Sequence, residues 1–179
     1  MKKTITLAIL VLLIGINLLN AQTATTSIQN PVDKLSFMIG EWEGSGWMMT
    51  REGKQTSIIK EKVECKLDCN ILTVEGLGTK TDSVSQETVV VHDAFGVIFF
   101  DPQSNSLSIR AYKKEGVTES EIEFIEEKII QWNLDIPDGS KVRFTVDFKT
   151  DDKWIEIGEF SRDGENWTKI LGMELTKAE

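Results

Sequence analysis

Short strand-like runs that alternate with turn-forming clusters are the feature that most constrains the fold of this sequence. From Glu41 onward, runs rich in β-branched and aromatic residues are separated at intervals of about ten residues by clusters such as REGK (51–54), DPQSN (101–105) and RDGE (162–165). Inside several runs, apolar and polar residues alternate with the period of a β-strand. In KVRFTVDFK (141–149), the apolar side chains at the even-numbered positions share one face of the strand. The polar side chains at the odd-numbered positions share the other face. The pattern predicts strands with one face in the core and one in water.

The number and spacing of the runs predict an all-β fold. We count about ten antiparallel strands after one short helix in NPVDKLSFMIG (30–40), where Pro31 suits a first helical position and Gly40 ends the helix. Consecutive up-and-down strands with tight turns favour a single closed or nearly closed β-barrel, because closure removes the two open sheet edges. A two-sheet sandwich is the less economical alternative, since its Greek-key connections are usually longer than these turns.

The first 21 residues have the composition of a secretory signal peptide. Lys2 and Lys3 supply the positive start, 5–19 supplies an apolar run, and Ala21 supplies a small residue at the cleavage point. We therefore expect residues 1–21 to be removed, residues 22–30 to form a flexible leader and residues 31–179 to form the barrel domain. The product is expected in the periplasm or outside the cell, without membrane insertion after cleavage.

The charge of the chain excludes several classes of partner. The formal net charge is -9, and it becomes -11 for the mature part because Lys2 and Lys3 leave with the signal and no carboxylate does. Binding to nucleic acid or to an anionic membrane needs clustered Lys and Arg, and the sequence contains no such cluster. We expect neither partner.

Two cysteines, Cys65 and Cys69, lie close together in ECKLDCN. Along one extended strand their Cα atoms would be roughly 13 Å apart, which is too far for a disulfide, so they can join only if the chain turns between them. Free buried thiols and a disulfide at the end of a hairpin both remain open. A metal site is not expected, since two cysteines and the single His92 give no four-ligand set.

Three segments in order resemble a known group of barrels. GEWEGSGW (40–47), with its Gly40-x-Trp42 start, KLDCNILTVEG (66–76) and SRDGENW (161–167) are similar to segments of the lipocalin-like, calycin-type barrels. The closest resemblance is to a bacterial family of secreted domains of uncharacterised function, distantly related to the nitrobindin-type barrels. The resemblance implies that Trp42 closes one end of the barrel. Nitrobindin-type barrels bind haem through a histidine near the C-terminus, and TKILGMELTKAE contains none, so no haem or other cofactor is expected.

Residues able to perform acid–base chemistry are present, but their pattern does not indicate an enzyme. His92 and Asp93 are adjacent on a strand and point to opposite faces, so they cannot form the oriented pair of a catalytic triad. Four glutamates within strands could point inward, although the alternation does not fix their faces. These are Glu61, Glu75, Glu123 and Glu159. We expect most of them to be solvated, because carboxylates are seldom buried unless they are paired.

The predicted function is non-catalytic binding of a small, mostly apolar ligand inside the barrel. The candidate pocket-lining residues are Met48, Trp132, Phe144 and Phe148, above Trp42 at the closed end. Arg110 and Tyr112 are further candidates for a polar contact if they point inward, and surface residues if Leu107, Ile109 and Ala111 form the inner face, which is the usual pattern. Two alternatives stay open: a solid barrel that acts as an envelope or surface interaction module, and an enzyme that uses interior carboxylates.

Overall fold

The computed structural model describes residues 30–178, and the predicted signal segment and all of the predicted leader except Asn30 lie outside these residues. The described chain forms one 3-10 helix and ten strands. The helix spans Pro31–Met38, and the strands are β1 (Gly40–Thr50), β2 (Gly53–Lys66), β3 (Ile71–Thr81), β4 (Thr88–Asp101), β5 (Ser106–Lys113), β6 (Gly116–Glu126), β7 (Ile129–Asp135), β8 (Lys141–Asp147), β9 (Lys153–Ser161) and β10 (Thr168–Lys177).

The strands close into one antiparallel barrel. Each strand pairs with its neighbours in sequence, and β1 pairs with β10 to complete the ring. This confirms the predicted all-β, up-and-down barrel of ten strands. The hairpin turns alternate between the two ends, which are here called the mouth (the β1–β2, β3–β4, β5–β6, β7–β8 and β9–β10 turns) and the floor (the other four turns and the helix).

The helix lies at the floor and differs from an ordinary α-helix. Val32, Leu35 and Met38 are all buried, and their three-residue spacing puts them on one face of a helix with three residues per turn. Ile39, which α-helical spacing would have added to that face, lies beyond the helix end in an extended conformation. The side chain of Asn30 caps the first turn by accepting a hydrogen bond from the backbone N–H of Val32 at 3.1 Å.

An aromatic cluster fills the floor. The indole of Trp42 is 3% exposed, and its ring centroid lies 5.4 Å from that of Phe148 and 5.8 Å from that of Trp154. The Trp42 Nε1–H donates a hydrogen bond to the carbonyl of Met38 at 2.8 Å, so the indole satisfies a carbonyl at the end of the helix while packing against the barrel. The barrel is therefore plugged at this end by side chains.

A disulfide joins Cys65 and Cys69 across the β2–β3 turn at the floor. Leu67, Asp68 and Cys69 all have positive φ, between 53° and 61°, which turns the chain tightly enough to bring the two Cα atoms to 4.7 Å. Of the two alternatives that the sequence left open, the structure contains the disulfide. Asn30 Nδ2 donates a hydrogen bond to the carbonyl of Cys69 at 2.6 Å and so connects this turn to the start of the helix.

Six glycines lie on the inner face of the barrel. The pairing register places them on the same face as Trp42 and Phe144. They are Gly44, Gly46, Gly76, Gly78, Gly96 and Gly158. At Gly96 a Cβ atom would lie 3.5 Å from its nearest neighbour, in ordinary contact, whereas at the other five it would lie 2.1–3.1 Å from a neighbouring group. Five of the glycines therefore make room for adjacent side chains or backbone, and Gly96 borders free space.

The wall between β6 and β7 is paired over only a short stretch. The backbone register runs from Glu123 to Glu126 near the floor. Closer to the mouth, the hydroxyl of Ser120 accepts a hydrogen bond from Asn133 N–H at 3.1 Å and donates one to the carbonyl of Asn133 at 2.7 Å. A side chain thus replaces backbone pairing at this seam.

Candidate functional site

The candidate site is a cavity in the barrel above the floor. Its volume is about 280 Å³. Most of the wall is apolar, and it includes aromatic side chains from β7, β8 and β9. Ligand cavities usually have volumes of roughly 300–1,000 Å³, so this cavity lies just below the lower end of that range and suits one small molecule.

Two carboxyl groups, Glu61 on β2 and Glu156 on β9, point into this cavity. Each side chain belongs to a residue that is at most 9% exposed. Burial raises the pKa of Glu61 to about 8, with a further increase from the nearby Glu156 and a decrease from Lys113. Burial also raises the pKa of Glu156 to about 7, against smaller opposing effects of Trp154 and Lys113. At neutral pH this pair therefore carries much less negative charge than two ordinary glutamates.

The local structure explains how Glu61 is accommodated. In the β2–β3 register Glu61 lies opposite Gly76, and a Cβ atom at Gly76 would be only 2.8 Å from Glu61 Oε1. The missing side chain on β3 thus provides the space in which the carboxyl lies. The ion pairs among residues 30–178 include neither Glu61 nor Glu156. Both carboxyls are buried acceptors without a cationic partner in contact.

A buried donor lies beside the second carboxyl. Trp154 is 2% exposed, and within residues 30–178 its Nε1–H has no hydrogen-bond partner of normal geometry. The same indole lies near enough to Glu156 to lower the pKa of that carboxyl. Trp154 also lines the cavity, so its ring forms the boundary between the floor and the space above it.

His92 and Lys113 are two further titratable residues in the cavity lining. His92 lies on the inner face of β4 opposite Gly78, and its pKa is lowered by burial and by the charge of Lys113, against opposing effects of Asp93 and Glu115. Lys113 is the last residue of β5, next to the turn at the mouth. The imidazole is therefore favoured in its neutral form.

The mouth of the cavity is partly apolar. Met48 and Val91 line the cavity and are 45% and 46% exposed. Beside them, Lys80 Nζ donates a hydrogen bond to Gln55 Oε1 at 2.9 Å, which links β2 and β3 near their mouth ends. An entering molecule meets two exposed aliphatic side chains before it reaches the buried carboxyls.

The structure brings three of the predicted pocket residues together at the cavity. Met48, Trp132 and Phe144 line it, and the rings of Trp132 and Phe144 stack with centroids 5.6 Å apart and planes 21° apart. Trp42 and Phe148 lie below the cavity in the floor cluster. Phe148 shares the inner face with Phe144, as its spacing predicts, but it comes after the end of β8 and is 3% exposed among Phe37, Trp42 and Trp154.

The inward placement of Arg110 and Tyr112 is wrong. Ile109 and Ala111 line the cavity, so the two residues that alternate with them point outward. Arg110 forms an ion pair with Glu119 on the outer surface, and the ring of Tyr112 packs near that of Phe95, also on the outside. The alternative that made both of them surface residues is the correct one.

The glutamates that sequence left undecided separate clearly in the structure. Glu61 points inward, whereas Glu75 and Glu123 are exposed and Glu159 pairs with Arg143, with 2.7 Å between Oε2 and the guanidinium nitrogen Nη2. Glu156 was not among the candidates, and the usual alternation rule would assign it to the wet face because it lies between Ile155 and Ile157.

The inward position of Glu156 nonetheless fits the pattern of its strand. Glu156 shares one face with Trp154, Gly158 and Phe160, and this face lies beside Val142, Phe144 and Val146 of β8. His92, expected on a strand next to Asp93, lies within β4 and faces the cavity. The polar part of the site was therefore found only in part from sequence.

No group of three or more His, Cys, Asp or Glu side chains between residues 30 and 178 is arranged to hold a metal ion. Over the same residues, no helix has the length and apolar character needed to cross a membrane.

Comparison with known proteins supports the fold alone. No protein-family model matches the chain, and no curated protein matches it. Among solved structures, it is similar to the crystal structure of Rv2717c from M. tuberculosis, with 12% sequence identity and a TM-score of 0.58 over 83% of this chain and 98% of that chain. At this identity the likeness shows a shared barrel fold and nothing further.

Proposed function

We propose that this protein is a non-catalytic binding protein that holds one small, mostly apolar ligand in the barrel cavity and acts in the periplasm or outside the cell. The observation that carries the proposal is the unfilled interior of about 280 Å³ above a floor that side chains close. A solid interaction module would instead have an interior packed to the density of an ordinary core. The relation to lipocalin-like, calycin-type secreted barrels, indicated by the sequence motifs, is part of the same proposal.

The arrangement of side chains supports ligand binding in two further ways. At Gly96 the inner face leaves free space that leucine or valine would fill in an ordinary core. The stacked pair of Trp132 and Phe144 presents a flat apolar surface to the cavity. Haem is not part of the proposal, because β10 contains none of the histidine ligands that the nitrobindin resemblance would require.

The test begins with the full chain expressed in a Gram-negative bacterium and purified from the periplasm without denaturant. Intact mass is expected to show loss of residues 1–21, and native mass spectrometry is expected to show a population that carries an added mass of a small molecule. An absorbance scan of the same sample is expected to show no haem band. A cytoplasmic, uncleaved product would contradict the proposed location.

A matched pair of variants tests whether the cavity is the binding place. Gly96 lines the cavity, and a Cβ there would be 3.5 Å from the nearest side-chain atom, so Gly96→Leu can extend into the free space. Val97 is its outward neighbour on β4, and Val97→Leu is the control. Ligand capture by Gly96→Leu is expected to fall by about tenfold or more while Val97→Leu behaves as the wild type. Equal capture by both variants would place the ligand elsewhere.

A second candidate function, an enzyme that uses interior carboxylates, is favoured by one observation. Glu61 and Glu156 both face the cavity with raised pKa values, a condition that general acid–base catalysis requires. The two candidates differ in what happens to the bound molecule. Recovery of the captured ligand chemically unchanged, after long incubation with excess protein, supports binding, whereas conversion to a product supports catalysis.

A further inference from the structure

The polar end of the cavity indicates the chemical class of the ligand. We propose that the cavity binds a small apolar amine as its cation, with the ammonium group between Glu61 and Glu156 and the apolar part toward the mouth. This inference rests on the proposed binding function and adds the head group and the orientation of the ligand.

The two carboxyls have unused hydrogen-bonding capacity. Both face the cavity, both belong to residues that are more than nine-tenths buried, and neither takes part in an ion pair among residues 30–178. A buried carboxylate without a partner is costly, and an ammonium group offers three N–H donors and the opposite charge. One cation between two carboxyls would satisfy both.

The indole of Trp154 provides a second indication of a ligand. Its buried N–H has no hydrogen-bond partner of normal geometry among residues 30–178, although it lies near enough to Glu156 to lower the pKa of that carboxyl, and a fully buried indole N–H usually has a well-formed hydrogen bond. If a bound cation draws Glu156 into its charged form, the carboxylate becomes a stronger acceptor for this N–H. The donor that is unused in the empty cavity would then stabilise the occupied one.

The surrounding walls suit a cation with an apolar body. Aromatic rings of Trp132, Phe144 and Trp154 line the cavity, and the electron-rich faces of such rings attract ammonium groups. The rim carries the exposed aliphatic side chains of Met48 and Val91, which suit the apolar part of the ligand. The amine is therefore expected to lie with its charged end deep in the barrel.

The other charged groups around the carboxyls lie on several strands. They are Lys80 on β3, His92 on β4 and Lys113 on β5. Lys80 is engaged with Gln55 at the mouth, His92 is favoured in its neutral form, and Lys113 is at the mouth end of its strand without an ion pair in the described residues. A formal charge of -9 for the whole chain further attracts cations rather than anions.

The inference predicts a specific dependence on pH. In the empty protein both carboxyls hold protons into the neutral range, with pKa values of about 8 and about 7. A bound cation stabilises their ionised forms, so binding must release protons and must strengthen as pH rises from about 6 to about 8. An anionic ligand would show the opposite trend.

The experiment compares three molecules of nearly the same shape: 2-phenylethylamine, 2-phenylethanol and phenylacetate. Each is titrated by calorimetry, in two buffers of different ionisation enthalpy, into purified protein freed of captured ligand. We expect the amine to bind about tenfold or more tightly than the alcohol or the acid, and to release protons. Glu61→Gln and Glu156→Gln should each weaken amine binding about tenfold while changing alcohol binding less than about twofold.

Glu75→Gln is the matched control, because Glu75 lies on the outer face of β3, exposed to solvent. Equal or tighter binding of the alcohol or the acid, amine binding that ignores both inward substitutions, or a lack of proton release would each overturn the amine inference. Binding of the alcohol with rejection of the amine would do so while leaving the proposed binding function intact. If none of the three binds, the inference fails and native mass spectrometry of the captured ligand decides the proposed function separately.

Discussion

The floor and the cavity use the same inward positions of the same strands in opposite ways. At the floor, β1 and β9 present Trp42 and Trp154, and the adjoining residue Phe148 packs between them. A short distance along the same strands, the inward residues are Gly46 and Glu156. The floor is built for packing and the level above it is built to leave space and buried polar groups. The two regions should therefore respond differently to mutation, pH and ligand.

The largest expected loss of stability comes from truncating a side chain in the floor. Trp42→Ala should lower the free energy of unfolding by about 3–5 kcal/mol, because it removes a fully buried indole from its two aromatic neighbours, Phe148 and Trp154, and a hydrogen bond to Met38. Trp132→Ala, in the cavity wall, should cost less than half as much, since its indole is only partly buried. Urea denaturation measures both. Equal losses would mean that the cavity wall is as well packed as the floor.

The second prediction distinguishes the floor from the cavity by the pH dependence of the free energy of unfolding. Because burial holds the pKa of Glu61 above its value in the unfolded chain, its contribution to stability is complete at acidic pH and is lost as pH rises through about 8. The free energy of unfolding of Glu61→Gln minus that of the wild type should rise by on the order of 4 kcal/mol from about pH 5 to about pH 9. Urea denaturation across this range measures the difference. The floor variant Trp42→Phe should show the wild-type slope, and a flat difference for Glu61→Gln would contradict the burial of an ionisable carboxyl.

A third prediction concerns the disulfide at the floor. Replacing both Cys65 and Cys69 by serine should lower the free energy of unfolding by about 2 kcal/mol, the amount expected for opening a short closed loop in the unfolded chain. Ligand affinity should stay within about twofold of wild type, because the turn lies at the opposite end from the mouth. A large loss of affinity would show that the floor and the cavity are coupled.

The smallest expected effect on stability is at one inward glycine, Gly96, and it contrasts with the effect at another, Gly44. Gly96→Ala should change the free energy of unfolding by less than about 1 kcal/mol, since the new methyl enters free space at ordinary contact distance. Gly44→Ala should cost about 1–3 kcal/mol, because its Cβ would lie 2.1 Å from the carbonyl oxygen of Glu174 and the β1–β10 pair would have to shift. Thermal and urea denaturation rank the two. The reverse order would mean that the closing pair of strands is looser than the register implies.

The fold could be predicted from sequence because it depends on features that a sequence states directly. Alternation in KVRFTVDFK and regular turns gave the strands, and the removal of open edges gave closure. Alternation does not indicate how deep in the barrel an inward residue lies. Phe144 and Phe148 share one face, yet one stacks on Trp132 in the cavity and the other lies in the floor.

The polar site was harder to predict for a different reason. Alternation identifies faces by assuming that carboxylates face water, and that assumption fails wherever a site buries them. Glu156 lies between Ile155 and Ile157, so the usual rule assigns it to the wrong face. For His92 the obstacle was a register shift next to Gly78, which interrupts the regular pairing of β3 and β4. Only a complete register across neighbouring strands resolves such positions.

Gly96 has a consequence for how this barrel can change over time. It lies on β4 and points into free space, so single substitutions there would resize the interior while leaving the outer face and the strand pairing as they are. Successive substitutions, in evolution or in design, could thus change the size and shape of the interior step by step. The same barrel could come to bind a new ligand without a change of fold.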